Sequence, residues 1–450
     1  MSLSTAQVVH LLAALTVVLA AAHLTGRLFA RLHQPPVVGE IVGGLLLGPT
    51  VLGALAPGIG ARLFPGQGPV AAGLGLVEEI GLLLLMFLAG AELRVRADRR
   101  ERRTALGIAV AGLVVPFAAG VAVVAAAGHE AHTGPNGSAV TFALVFGIAT
   151  AVAAIPVISR IMMDLGVLDT AFARIVLMVA VAEDAVLYVV LAVVLGLAEA
   201  HSPEEGLGLW ALLGGGGPAA TAVYCVTASL LFFGAALAFG PRLYRWLART
   251  GLAALDRQNP TAFRLLFLFA GVLCCAGLGI NPIFGALMAG MCAARGDHDT
   301  GDLQAEGRAL HAWEALRHFA LAFFVPVYFA LVGLRLDLAR QLDPVFFAWF
   351  LLLACAVKGA SVWAAARLAG EDRRSAGRLA VALNARGTLG VLLATVTYGA
   401  GIINAGFFAA LVLMSIVTCQ AAGFFLNRAF RSQTPDVRRD PAPAPQEVGR

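Results

Sequence analysis

Long apolar stretches alternate with short polar or basic breaks, and their lengths predict an all-α chain crossing a membrane about thirteen times. The first six segments run from Val8 to Ala30, Pro36 to about Gly53, Gly73 to Leu93, Thr104 to Ala127, Ser138 to Ser159 and Ile175 to Leu197. The next four run from about Leu207 to Gly240, Thr261 to Gly277, Ile283 to Ala294 and His318 to Leu334, with a kink expected at Pro326 in the last. The final three are Pro344 to Ala369, Ala376 to Thr397 and Asn404 to Asn427, and a disordered tail is expected over 428–450. One segment breaks the apolar rule at its centre, where Glu183 and Asp184 stand side by side in the sixth. A carboxylate at mid-membrane costs roughly 2.5–3.5 kcal/mol, so such residues face a protein interior or water cavity and bind something.

Two other segments carry breaks. In the fifth, Thr150 precedes Pro156, whose ring removes a backbone donor and disfavours continuous helix. In the twelfth, Asn384, Arg386, Gly387 and Thr388 form a polar, glycine-rich interruption. Two discontinuous helices crossing near the midplane would present half-helix ends of both signs, and Arg386 is placed to neutralise one of them. A repeat supports this pairing: Pro36, Gly39 and Gly44 are echoed by Pro282, Gly285 and Gly290, and Gly90-Ala-Glu92-Leu93 by Gly333-Leu-Arg335-Leu336. Helices two to six then match nine to thirteen with opposite orientation, the inverted five-helix repeat of many secondary transporters.

Composition fixes the environment. With 59% hydrophobic and 13% charged residues, most of the 450 residues belong in lipid. A net charge of +5 would suggest nucleic acid in a soluble protein; here the positions of the arginines carry the information instead. Sorted onto alternate sides, one side collects Arg27, Arg31, the Arg94–Arg103 cluster, Arg160, Arg174, Arg242 to Arg264, Arg295, Arg308, Arg317, Arg367 to Arg378 and Arg428 onward. The other collects Arg62, Arg335 and Arg340. The split predicts a cytoplasmic C-terminus; the absence of a basic region before the first apolar stretch argues against a cleaved signal and leads to the expectation of an N-terminus outside. Lys358 is the single lysine among 32 basic residues and sits mid-helix in the eleventh segment. Lysine can release a proton when desolvated and arginine effectively cannot, so a lysine at that depth points to function. The six cysteines, all within apolar segments, read as core residues. Glu40 and Glu92 read as packing or interfacial groups, and the Asp297-His298-Asp299 run as a solvated loop rather than a metal site.

Gln34-Pro-Pro-Val-Val-Gly-Glu-Ile-Val-Gly-Gly-Leu-Leu-Leu-Gly-Pro, Phe87-Leu-Ala-Gly-Ala-Glu-Leu, Ile155-Pro-Val-Ile-Ser-Arg160, Phe284-Gly-Ala-Leu-Met-Ala-Gly and Asn384-Ala-Arg-Gly together resemble the monovalent cation:proton antiporter superfamily in its Kef-type branch, from about residue 8 to 427. The resemblance implies a panel-like dimerisation part, a six-helix core formed by about 104–197 and 344–427, and a homodimer in the plasma membrane serving pH homeostasis. It also implies that Asp184 binds the cation and the proton, that Thr150 lies beside it in the broken helix, and that Lys358 is the basic residue of the core. Two departures stand out. Glu183 occupies a position where relatives carry aspartate, asparagine or glutamine. Many Kef-type members carry a nucleotide-binding regulatory domain after the last helix; with about two dozen residues after 427 here and no Gly-x-Gly-x-x-Gly after a strand, regulation of that kind is expected to be absent.

Exchange would follow from competition: a buried carboxylate is neutralised by a proton or by a cation, not comfortably by both. Oxygens of Asp184, Glu183 and Thr150 and freed carbonyls suit Na⁺ or K⁺, with no cofactor and no resident metal. If Lys358 pairs with Glu183 and surrenders its proton, net charge moves; if it keeps it, exchange is electroneutral. The rival from another class is a sodium-coupled organic-anion transporter using Arg386 and Lys358. A sensor with a vestigial site would ignore loss of Asp184, and a membrane enzyme lacks a catalytic constellation in the polar loops.

Overall fold

The computed structural model describes residues 4–431 except 33, 93–98, 129, 154–157, 159–161, 163–166, 168–169, 200–217, 251–252 and 299–302. It is built of helices, with one isolated bridge between Thr133 and Ile403. In chain order they are α1 (Thr5–Arg31), α2 (Pro36–Leu47), α3 (Pro69–Glu92), α4 (Arg99–Ala127), α5 (Ala139–Ala151), α6 (Ala171–Glu199) and α7 (Pro218–Arg249). There follow α8 (Pro260–Gly277), α9 (Pro282–His298), α10 (Leu303–Phe319, a π turn Ala320–Phe324, then Val325–Leu334) and α11 (Pro344–Leu368). The last are α12a (Arg373–Ala382), α12b (Gly387–Gly399) and α13 (Ala405–Arg431). Among the described residues, ten stretches are long and apolar enough to cross a membrane, and α5 is a shorter apolar helix.

Helix starts follow local chemistry. Ser138 and Thr141 form a reciprocal capping box at α5, Asn259 caps α8, Asp343 caps α11 and Asp372 caps α12a, each satisfying amide donors that lack a carbonyl four residues back. Proline occupies the first turn of α2, α8 and α11, where its missing N–H costs nothing.

Several boundaries differ from the sequence expectation. α7 continues past Gly240 to Arg249, because Arg242 and Arg245 turn back to donate to Ala238 O and Pro241 O and extend the helix beyond its apolar part; 207–217 lie outside the described residues. α10 begins at Leu303, with a polar first half, Leu303–Phe319, that hydropathy alone misses. A π turn, Ala320–Phe324, lies directly ahead of Pro326. Pro326 has no N–H to give Ala322 O an α-helical partner, and His23 Nε2–H of α1 donates to that carbonyl at 2.9 Å. α13 runs to Arg431, so its helix claims the first residues assigned to the tail, and 432–450 lie outside the described residues. Cys274 is exposed rather than in the core, whereas Cys275, Cys292 and Cys419 are buried.

Close crossings are made by glycine. Gly44 of α2 meets the backbone of Ala330 in α10, and Gly333 of α10 meets that of Ile41. In the same way Gly290 of α9 meets Phe87 of α3, and Gly90 of α3 meets Leu287. No Cβ fits at any of the four, which brings backbones into contact. The residues of the two crossings correspond in pairs, displaced by 243 residues between α3 and α10 and by 246 between α2 and α9. Gly39 against Thr25 and Gly285 against Gly271 carry the second offset back to α1 and α8, one helix further than the sequence suggested. α4, α5, α6, α11, α12 and α13 contact one another, and α7 touches both α6 and α9. Phe146 stacks among Phe350 (4.7 Å) and Phe407 (5.7 Å), joining α5, α11 and α13.

Candidate functional site

The site is built where α5 stops. Its C-cap Val152 is extended, and the last carbonyls are taken by side chains from other helices. Arg386 donates through Nε to Ala149 O and through a terminal nitrogen to Thr150 O, both at 3.1 Å; Lys358 Nζ donates to Ala151 O at 2.7 Å. Two cations thus sit on the negative end of a half-helix dipole. The helix has already ended before Pro156, which lies outside the described residues, so the interruption comes earlier than the proline suggested.

α12 is interrupted as expected. α12a ends at Ala382 with Leu383 as its C-cap, and Gly387 opens α12b at φ +39°, a left-handed conformation that disfavours any side chain. Asn384 holds the linker by donating to Ala380 O (3.1 Å) and Cys355 O (3.3 Å), and Thr418 Oγ1 accepts from Arg386 N. Thr388 is buried in the first turn of α12b. Arg386 and Lys358 are wholly buried.

Lys358 also pairs with Glu183 of α6, Nζ to Oε1 at 2.7 Å. Its third partner is Gly112 O of α4 at 2.8 Å. That carbonyl is available because Pro116, four residues on, has no N–H to donate back to it. Gly112 is needed for a second reason: a Cβ there would stand 2.7 Å from Glu183 Oε1. Pro116 O in turn accepts from Thr150 Oγ1 at 2.8 Å, and Gly120 leaves room for that hydroxyl. Gly112 and Pro116 went unnoticed in the sequence, although a proline four residues after a glycine inside an apolar helix is a readable sign of a freed carbonyl.

Asp184 is 4% exposed, and its Oδ1 has no hydrogen-bond partner. Consecutive helical residues point about 100° apart, so the Lys358 contact of Glu183 does not extend to its neighbour. The carboxylate oxygens of Glu183 have no aligned hydrogen bond either, only the ion pair. The arrangement is a buried, oxygen-rich centre with one internally balanced charge pair and one carboxylate left over. Glu183, Lys358, Arg386 and Thr150 are thereby brought into one network through direct contacts, with Asp184 next in the chain.

The other candidates separate. Glu40 Oε2 is buried and unpartnered beside Gly26, and the Glu92 side chain lies outside the described residues. Asp297 is not in a solvated loop: at the end of α9 it accepts from Tyr244 OH (3.0 Å), Arg264 (2.8 Å) and Trp313 Nε1 (2.9 Å), collecting α7, α8 and α10. Sequence reading missed this because its donors come from three distant segments.

A polytopic helical protein with two half-helices meeting around buried carboxylates has the build of a secondary transporter. The chain belongs to the transmembrane sodium/hydrogen exchanger family, whose model matches residues 14–431. It is 26% identical over 412 residues to the Na(+)/H(+) antiporter NhaS4 of Synechocystis sp., covering 91% of this chain and 94% of that one. To the K(+)/H(+) antiporter 1 of Saccharomyces cerevisiae it is 28% identical over 406 residues, 87% of this chain but 43% of the yeast protein. To the Na(+)/H(+)-K(+) antiporter GerN of Bacillus cereus it is 24% identical over 425 residues, 92% and 95% of the two chains. The solved sodium proton antiporter MjNhaP1 from Methanocaldococcus jannaschii shares the fold, with a TM-score of 0.61 and 14% identity over 94% of this chain and 99% of that one.

Proposed function

We propose that this chain exchanges a monovalent cation, Na⁺ or K⁺, for protons, the two competing for Asp184. The observation that carries the reading is a buried carboxylate with an unpartnered oxygen beside a charge pair that already balances itself. Such a group is neutralised by whichever of proton or cation arrives, which is the logic of exchange. Thr150 Oγ1 spends its proton on a backbone carbonyl and keeps its lone pairs free to face a cation. Arg386 compensates the α5 terminus, while Asn384, Gly387 and Thr388 shape the facing half-helix.

Lys358 Nζ gives its three N–H donors to three acceptors at once and serves in this reading as a fixed charge of the site. Exchange is then one cation for one proton and electroneutral. The six helices α4 to α6 and α11 to α13 move as the core against the rest, in a homodimer of the plasma membrane with the C-terminus cytoplasmic. The relation between the two glycine crossings supports an inverted repeat. The organic-anion alternative gains no support from the relatives, and the cationic groups it would need are occupied by carbonyls.

The test is dissipation of an imposed pH gradient in everted vesicles on adding Na⁺, K⁺ or Li⁺, for wild type and Asp184→Asn at equal amounts of folded protein. Cation-evoked dissipation is expected in the wild type and absent in the variant; a full response in Asp184→Asn would refute competition at that carboxylate. Transport currents on a supported membrane should be null, and a cation-dependent current would overturn electroneutrality alone.

A further inference from the structure

A groove of about 540 Å³ lies between α12a and α13, away from the buried carboxylates. Its rim carries Arg374 and Arg378, four residues apart and so on one face of α12a, and Val381, Phe425 and Leu426 form its apolar wall. Arg378 rests its guanidinium 4.6 Å above the Phe430 ring and gives one N–H to Ala429 O at 3.3 Å. Among the described residues neither guanidinium is paired with a carboxylate. The nearest acids are otherwise engaged: Asp372 caps the backbone amides of Arg374 and Ser375, and Glu371 accepts from Ser375 Oγ. Phe424 and Phe425 continue the apolar wall outward, both more than half exposed.

We propose that this groove binds the headgroup of an anionic phospholipid. Guanidinium groups present planar forks that match phosphate oxygens, and their position above an apolar wall fits an amphiphile, charge at the rim and acyl chain along Phe425 and Leu426. The arginines lie on the side of the chain where most arginines collect, the side that in membranes meets anionic lipid. A free phosphate would use the rim and leave the wall without a role. The consequence reaches the site, because α12a leads directly into the Asn384–Arg386 linker that caps α5. A lipid seated there ties α12a to α13 and biases the half-helix that positions Arg386. This inference rests on the membrane fold and not on the ion exchanged.

The experiment is native mass spectrometry of the full chain, delipidated in detergent and then titrated with phosphatidylglycerol or phosphatidylcholine, with inorganic phosphate as competitor. Wild type should retain phosphatidylglycerol at least tenfold more strongly than phosphatidylcholine, with phosphate at millimolar concentration displacing little of it. Arg374→Gln/Arg378→Gln should lose that preference while eluting as folded protein, and Arg374→Lys/Arg378→Lys should keep part of it. Equal retention of the two lipids by the wild type overturns the proposal without reference to any variant. So does an unchanged preference in the glutamine variant, or full displacement by phosphate, which would make the groove a free-anion site.

Discussion

Two carboxylates in this protein, fully buried Glu183 and half-buried Asp297, are each held by a cationic side chain, yet they end differently. Asp297 receives a guanidinium N–H, a phenol and an indole N–H, so its oxygens are consumed and four helices are fastened at one point. Glu183 receives one ammonium, and that ammonium is shared with two backbone carbonyls. Beside it Asp184 keeps an oxygen without a partner. A satisfied network holds helices together, whereas an under-satisfied one leaves free energy to be recovered by binding. Ion pairing alone would have ranked the two clusters alike; counting donors against acceptors tells them apart.

The comparison breaks most sharply at Lys358. Lys358→Ala strands Glu183 without its counter-charge and uncaps Ala151 O and Gly112 O, and a cost of about 3–5 kcal/mol is expected. Thermal unfolding in detergent should fall steeply. The double variant Lys358→Met/Glu183→Leu should recover most of the loss, since replacing both members of a buried pair by apolar groups is far cheaper than removing one. Failure to recover would mean that the carbonyl contacts, not the ion pair, carry the stability. Asp297→Ala is expected to cost about 3 kcal/mol by leaving buried Arg264 unpaired, while the cation concentration giving half-maximal exchange stays the same. A shift in that concentration would show that the Asp297 network is coupled to transport and would collapse the distinction.

Much of the site was legible because its residues offend a simple rule. Lysine or adjacent acids in an apolar helix, and Asn-Ala-Arg-Gly inside a membrane segment, stand out against lipid-facing sequence. The break in α12 is visible for the same reason, and Gly387 confirms it by its positive φ. What stayed hidden depends on partners rather than on residue type. Gly112 matters through a carbonyl that only Pro116 liberates and only Lys358 collects, and Asp297 through donors on α7, α8 and α10. Boundaries were missed where arginines capped carbonyls beyond the apolar stretch, as at the end of α7, since hydropathy reads the lipid and not the helix.

A milder perturbation separates packing from charge within α4. Gly112→Ala would put a methyl group 2.7 Å from Glu183 Oε1 and 3.1 Å from Val362 Cγ2, and the expected cost is about 1–3 kcal/mol. Gly107→Ala in the same helix meets nothing within 4 Å and should gain about 0.5–1 kcal/mol from helix propensity. Exchange should weaken several-fold in the first variant and hold in the second. Equal behaviour of the two would remove Gly112 from the site.

The smallest effect lies at the membrane surface, where the loop before α5 is tied to the loop before α13. His132 O accepts from Asn404 N at 3.0 Å, and the His132 ring packs 3.8 Å from Phe346. Burial lowers the imidazole pKa below its ordinary 6.5, against a smaller opposing pull from Asp343. The folded state therefore prefers the neutral ring. Above pH 6.5 both folded and unfolded chains carry it neutral and the stability is fully present; as pH falls below 6.5 the unfolded chain takes the proton first, and stability is lost until the folded-state pKa is passed. Thermal unfolding followed from about pH 7.5 down to 5.5 should fall further for wild type than for His132→Gln, which has no proton to take. If the two curves run parallel, the loop contact contributes packing but no pH dependence, and the acid sensitivity of the fold must then come from carboxylates elsewhere.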